Sequence, residues 1–481
     1  MRILLASSEV HPHSKTGGLA DMVGALAKTL AQAGHEVGLV TPLYGWIREK
    51  APTLERLDWQ MQLPLGGRPV SGEVWTLQPH ERLTIYFVGH AGFFERGSLY
   101  QERGVDYPDN AERFIFFSKA VTHLARYLPW RPEMVHANDW QTGLVPLFVR
   151  HQAAREGWVN PPRTCLTIHN VAYQGVFEAG CYALTNLPRD YFRIDGLEFH
   201  GRMNCLKAGI VFADAIITVS PRYAREITTE EFGCGLDGVL RQRQEALTGI
   251  LNGVDYEEWN TTHNPFLKHP YSLDDLTGKT AEKQDLQREF GLPVSPKTPL
   301  FGSITRLTEQ KGMEIQLAAL EEMMAGGVQF LLLGSGATHL EDAYRRLAAR
   351  FPAKVGIRIG FDQALSHRIE AGCDFFLMPS RFEPCGLNQM YSQRYGTIPI
   401  VRATGGLDDT VVDATENAQR ATGIKFTEHS ARALAKGIRK ALALYACPEA
   451  MRHYQRNGMR ADFSWERTQD AYVAVYSQSC S

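Results

Sequence analysis

An α/β protein of two doubly wound domains is the fold class this sequence predicts, and three observations predict it. The 481 residues exceed what one ordinary core organises, and a 44% hydrophobic share is normal for a globular chain. Near the N-terminus, an apolar run from Arg2 to Ala6, helically spaced apolar residues from Leu19 to Leu30, and a second apolar run from His35 to Pro42 spell a βαβ unit. Strand, loop and helix recur in that order from Leu300 to Met324, so the second half repeats the logic of the first.

Taken in order, the first helix stops at Gly34, and the loop before it reads SSEVHPHSKTGGLAD. It has neither G-x-G-x-x-G nor G-x-x-x-x-G-K-[ST], and no acidic residue ends the second strand, which disfavours a dehydrogenase and a P-loop. Lys15 beside Gly17 and Gly18 at a helix start suits a diphosphate; a surface lysine before a glycine turn is the alternative on these residues alone. Asp139-Trp140, in VHANDWQTG, pairs a carboxylate that hydroxyls favour with an indole that pyranose faces favour, or else is a buried tryptophan with a capping acid. Cys165 to Asn170 is a strand delivering His169 and Asn170 to its carboxyl end, and Ala215 to Val219 the last central strand. A turn signal at Thr248 to Asp255 marks the crossing. The expected domains are residues 1–248, 249–460, and a closing segment 461–481. Asn260 to Pro299, with a helix from about Thr280 to Phe290, reads as peripheral.

In the second domain, Arg306 and Lys311 lie on a loop after a strand, where two cations can clamp a diphosphate; a solvated charged turn is the alternative. Strands at Val328 to Leu333 and Val355 to Ile359 follow, the latter ending in Gly360-Phe361. The apolar run Cys373 to Met378, a turn carrying Glu383, and a helix from Gly386 to Arg394 come next. A strand from Ile398 to Val401 then enters Thr404-Gly405-Gly406, whose glycines permit close backbone approach. Helical patterns at Ser430 to Leu444 and Trp465 to Tyr476 end the chain.

Composition narrows the partners. Lys and Arg number 51 against 53 Asp and Glu, which argues against nucleic acid or a membrane surface. The eight cysteines form no C-x2-C pair, and neither a secretory leader nor an 18-residue apolar run is seen, so a reduced cytoplasm is expected.

Five motifs carry a resemblance: KTGGLAD at Lys15 to Asp21, VHANDW at Val135 to Trp140, TIHN at Thr167 to Asn170, RLTEQKG at Arg306 to Gly312, and FEPCGLNQMYSQRYGTIPIVRATGGLDDTV from Phe382. Together they resemble the glycogen and starch synthases, retaining glycosyltransferases with two Rossmann-like domains facing across a deep cleft, the GT-B architecture. The resemblance covers nearly the whole chain. It implies transfer of glucose from ADP-glucose to the non-reducing 4-OH of an α-1,4-glucan such as glycogen or a maltooligosaccharide, without a metal or other cofactor. Lys15, Gly17, Gly18, Arg306 and Lys311 are then expected at the diphosphate, and Asp21 at the nucleotide. Phe361 is expected on the adenine, Asn252 facing the cleft on the donor side, and His169, Asn170, Glu383 and the backbone of Cys385, Gly386 and Leu387 at the glucose. Tyr100, in an exposed loop, joins Asp139 and Trp140 toward the acceptor, and the last helix crosses back to the first domain.

The chain departs from the family pattern at Asn138, often His, and at Asn388, often Thr. Tyr391 stands where related transferases carry a ribose-binding Glu. Retention is expected through same-face attack, the departing phosphate taking the acceptor proton, because no second carboxylate is placed as a nucleophile. A sugar-nucleotide isomerase and a phosphorylase are the rival readings.

Overall fold

The computed structural model describes residues 1–51 and 53–480, in two compact units. The first comprises Met1–Val219, Ala224–Ile250 and the segment from Trp465 onwards; the second comprises Ser220–Tyr223 and Leu251–Ser464. Ser481, the end of the expected closing segment, lies outside the described residues.

The first unit is built on a nine-stranded sheet. Its order is Leu247–Gly249, Ala215–Thr218, Arg163–Ile168, Met134–Asn138, Arg2–Ala6, Glu36–Pro42, Leu83–Gly89, Arg68–His80, Glu55–Leu65. The first seven run parallel and the last two antiparallel. After Arg2–Ala6 the chain lays Glu36–Pro42, the hairpin and Leu83–Gly89 to one side and every later strand to the other, so the direction of winding reverses between Arg2–Ala6 and Met134–Asn138. Ligands bind at such a reversal, because the loops leaving neighbouring strands diverge and open a crevice. Arg2–Ala6 is apolar because both its faces are covered, and Ile3 to Ala6 are fully buried. The hairpin from Glu55 to His80 was not among the expected elements. Its signal is Gly66-Gly67 between two stretches of strand.

The second unit has a six-stranded parallel sheet in the order Val355–Ile359, Gln329–Gly334, Leu300–Ile304, Phe375–Met378, Ile398–Arg402, Ile424–Phe426. Winding again reverses, between Leu300–Ile304 and Phe375–Met378. Apolar side chains cover both faces, from Phe301, Phe330 and Leu377 on one to Leu331, Phe376 and Val401 on the other.

One expectation is corrected. Asn260 to Pro299 is integral to the second unit, because the helix Thr277–Glu289 buries Lys279, Glu282, Lys283, Leu286 and Gln287. Lys279 Nζ donates to the carbonyl of Ala371 (2.8 Å) and to Thr397 Oγ1 (2.6 Å); Lys283 Nζ pairs with Asp374 (2.6 Å) and donates to Tyr445 Oη (3.0 Å). A polar composition reads as solvent-facing, yet lysine stems can cross an apolar interface wherever the ammonium finds acceptors beyond it.

The helix Trp465–Cys480 belongs to the first unit and packs on the helix Gly18–Gln32. Buried Tyr476 places its hydroxyl 2.8 Å from Nδ1 of His136, whose Nε2 lies 2.6 Å from Thr167 Oγ1. Burial drives the His136 pKa down to about 3, so the imidazole is neutral and both nitrogens are satisfied. Among the described residues no helix is long and apolar enough to cross a membrane.

Tyr476→Phe leaves a buried imidazole nitrogen without its partner. The expected loss is about 1–3 kcal/mol of unfolding free energy, read by urea denaturation of the whole chain.

Candidate functional site

In the first unit the functional side chains stand at the carboxyl ends of three adjacent strands: Arg2–Ala6, Met134–Asn138 and Arg163–Ile168. The loop after Arg2–Ala6 is organised by Glu9, only 3% exposed. Its carboxylate accepts from Thr16 N–H (2.5 Å), Thr16 Oγ1 (2.6 Å), Gly17 N–H (3.3 Å) and the phenol of Tyr100 (2.7 Å). Buried Arg113 braces the segment that leads into Tyr100, donating to the carbonyls of Phe93 (2.7 Å) and Leu99 (2.9 Å). The helix Gly18–Gln32 then starts with no side-chain cap, so its first N–H groups, from Gly18 onward, remain available to an anion. Lys15 Nζ lies beside that start, exposed, 2.7 Å from Asp21 Oδ1.

Asp139 is buried at φ +55°, a conformation a non-glycine residue rarely adopts. Its Oδ1 accepts from the His169 N–H at 2.8 Å. Burial raises its pKa to about 7, against the lowering effect of backbone N–H groups from His169 and Asn170. The carboxylate thus shapes the turn that presents His169 and Asn170. His169 Nε2 lies 3.0 Å from Asn138 Oδ1, and burial drives the imidazole pKa to about 3, so it is uncharged. Asn170 Oδ1 accepts from Ala172 N–H at 3.0 Å. Trp140 packs edge-on between Phe114 and Phe177, ring centroids 5.0 and 5.6 Å away, with Gly175 flush against it.

Several readings change here. Tyr100 is half-buried with its hydroxyl on Glu9 and Ser8, so it buttresses the lysine loop where an exposed contact was expected. Asp139 faces backbone N–H groups, and Trp140 is wedged among aromatic rings, which is the structural alternative weighed for that pair. Gly17 turns its N–H to Glu9, leaving Gly18 as the nearer free donor. Glu9 itself escaped sequence reasoning, since one carboxylate in a long polar loop carries no periodic or motif signal.

In the second unit, the site again straddles the reversal. Glu383, 6% exposed, follows Phe375–Met378; Lys311 follows Leu300–Ile304. Lys311 Nζ and Glu383 Oε2 are 2.5 Å apart, and Ser380 Oγ donates to the same oxygen at 2.9 Å. Two side chains assigned separately, one to phosphate and one to sugar, therefore form one ion pair. Arg306 is exposed, and no partner of its guanidinium is found among the described residues. Gly405, at φ +45°, and Gly406 press against the Glu383 turn, where a Cβ would sit 2.0 Å from the carbonyls of Glu383 and Cys385 respectively. These contacts fix the backbone of Glu383 to Leu387.

Burial lifts the Cys385 thiol to about 12, which suits packing and not nucleophilic attack. Asn252, 7% exposed, has a buried side-chain oxygen with no partner, an acceptor that a ligand hydroxyl would satisfy. Asn388, at the start of the helix Asn388–Arg394, donates to the carbonyl of Ile304 (2.7 Å), tying that helix to the end of Leu300–Ile304. Tyr391 stacks on Trp259, centroids 3.6 Å apart and 3° from parallel. Phe361 is 84% exposed beyond Gly360, a bare aromatic face at a strand end. Cavities of about 620 Å³ beside Arg150, Tyr191 and Phe212, and 390 Å³ beside Lys279 and Arg456, are lined by none of these residues.

Comparison with known proteins agrees on one family. The starch synthase catalytic domain family matches residues 2–242, and glycosyl transferases group 1 matches residues 286–459. The glycogen synthase of Anaeromyxobacter sp. (strain Fw109-5) is 50% identical, covering 99% of each chain. That of Thioalkalivibrio sulfidiphilus (strain HL-EbGR7) is 47% identical, covering all of both. The catalytic domain of starch synthase IV from Arabidopsis thaliana, solved bound to ADP and acarbose, superposes with a TM-score of 0.91 at 33% identity, covering 100% of this chain and 99% of that one.

If Glu9 ties the lysine loop, Glu9→Ala frees the amides of Thr16 and Gly17. Their hydrogen exchange is expected to quicken at least about tenfold, with core amides unchanged.

Proposed function

This chain belongs to the glycogen and starch synthase family of retaining GT-B glycosyltransferases, and from that premise we propose how its residues carry the reaction. It is a hexosyltransferase that moves glucose from a nucleotide-sugar donor to the 4-OH of an α-1,4-glucan with retention. We propose ADP-glucose as the donor and glycogen or a maltooligosaccharide as the acceptor, in a reduced cytoplasm. The ADP bound to the Arabidopsis starch synthase supports the first, and the free thiols of Cys165, Cys181, Cys205, Cys234, Cys373, Cys385 and Cys447 support the last.

In this reading the C1–O bond to the β-phosphate breaks while the acceptor O4 bonds C1 on the same face. The acceptor proton passes to the departing phosphate oxygen. Negative charge grows on the diphosphate, so cations and free N–H groups stabilise the transition state more than the ground state. Lys15, the Gly18 N–H, Arg306 and Lys311 are the groups that would supply them. Positive charge grows at C1, where the uncharged His169, with its backbone pinned by Asp139, adds no repulsion. Glu383 holds the hexose hydroxyls, Asn252 offers its unpartnered oxygen, and Phe361 stacks on the adenine.

The carrying observation is the Lys311–Glu383 pair at the second reversal. Diphosphate arriving at Lys311 loosens its hold on Glu383 and frees carboxylate oxygens for the sugar, which couples phosphate binding to hexose positioning. The carboxylates of Glu9 and Asp139 already accept backbone N–H groups, which favours same-face attack over a carboxylate nucleophile.

Incubation with ADP-glucose or UDP-glucose, with and without maltooligosaccharide, tests this reading. ADP release that requires glucan supports it; glucan-independent sugar conversion overturns it in favour of an isomerase. Glu383→Gln, which keeps the Ser380 contact, is expected to lower kcat about 100-fold or more, close to 2.7 kcal/mol of barrier, with an unchanged melting temperature. Phe361→Ala should weaken ADP inhibition about tenfold with glucan affinity unaltered; an unchanged ADP inhibition constant counts against stacking.

A further inference from the structure

The bond between Asn138 and His169 has a polarity that neither sequence nor family supplies. Asn138 is fully buried at the end of Met134–Asn138, between Arg2–Ala6 and Arg163–Ile168. Its Nδ2 donates to the carbonyl of Ala6 at 3.1 Å. A carbonyl only accepts, so the amide nitrogen faces Ala6 and the amide oxygen faces His169. That oxygen also only accepts, so His169 Nε2, 3.0 Å away, carries the proton. In a neutral ring Nδ1 is then bare.

We propose that Asn138 is a positioning residue that selects the Nε2–H tautomer of His169 and leaves Nδ1 as an acceptor for a hydroxyl of the donor hexose. The inference rests on the reading above that His169 serves the transferred glucose. A histidine at position 138, the residue frequent in the family, can donate or accept, so a pair of imidazoles has two arrangements of the shared proton. Asparagine anchored on Ala6 permits one.

Three further titratable groups lie around the ring. Asp139 follows Asn138 and accepts from the His169 N–H; His136 sits two residues earlier on the same strand and is held neutral by burial; Glu9 interacts with Asp139 from the lysine loop. The carboxylate of Asp139 engages the backbone of His169, so its effect on the tautomer is indirect.

The test is nitrogen NMR of the full-length enzyme with labelled histidine, His169→Gln identifying the signal. Wild type is expected to show one neutral tautomer, protonated at Nε2, across about pH 5.5–8.5. In Asn138→Asp the new carboxylate favours the imidazolium, so the ring should take a second proton within that window as pH falls. In Asn138→Leu both tautomers should appear, and kcat/KM should drop about tenfold or more. Asn138→His should restore kcat/KM to within about threefold while showing mixed tautomers, which separates hydrogen-bond polarity from loss of packing. A wild-type ring protonated at Nδ1, or a lone Nε2–H tautomer in Asn138→Leu, overturns the inference. The expected tautomer with kcat/KM untouched in Asn138→Leu instead overturns the placement of His169 at the hexose.

Discussion

In each unit the clustered side chains depend on the reversal of winding in a parallel sheet. Where strands laid in opposite directions from a common start lie side by side, their outgoing loops separate, and the backbone there is free of the ladder. The first unit fills that place with Glu9, Lys15, Asn138 and Asp139; the second fills it with Arg306, Lys311, Ser380 and Glu383. None of these residues is held by a long helix or a disulfide. Each is positioned at the end of a strand whose central residues are buried, so the backbone there starts from a rigid origin.

A second regularity concerns carboxylates. Glu9, Asp139 and Glu383 are all less than a tenth exposed, and each has donors arranged around it: backbone N–H groups and hydroxyls for Glu9, backbone N–H for Asp139, an ammonium and a hydroxyl for Glu383. A buried carboxylate without such donors would protonate or destabilise the fold. Glu9 and Asp139 thus act as local templates that bend loops. Glu383 differs because its principal donor is a side-chain ammonium and not the backbone.

The fold was legible because the apolar runs are short, bounded by glycine or proline, and alternate with helical spacing; Arg2–Ala6, Val355–Ile359 and Gly18–Gln32 stand close to where spacing placed them. Lys311 and Glu383 were legible as chemistry, since their motifs are specific, but their pairing was not, because it joins loops 72 residues apart in sequence. Glu9 was invisible for the same reason, its meaning lying in a phenol 91 residues away. The misreading of Asn260 to Pro299 shows the reverse problem: Lys279 and Lys283 look solvated in sequence, and only three-dimensional acceptors reveal them as interior. Trp140 could be assigned either way on residue type, and in the structure it packs against Phe114, Phe177 and Gly175.

The return of Trp465–Cys480 to the first unit has a consequence for synthesis. His136 and Tyr476 are separated by 340 positions along the chain. A nascent polypeptide emerging from the ribosome can close the second unit as an uninterrupted stretch, apart from Ser220–Tyr223, but must wait for its last helix before the first sheet is covered. Until Trp465–Cys480 has been made, a strip of apolar strand lacks its lid, so the half that is begun first is completed only after the second.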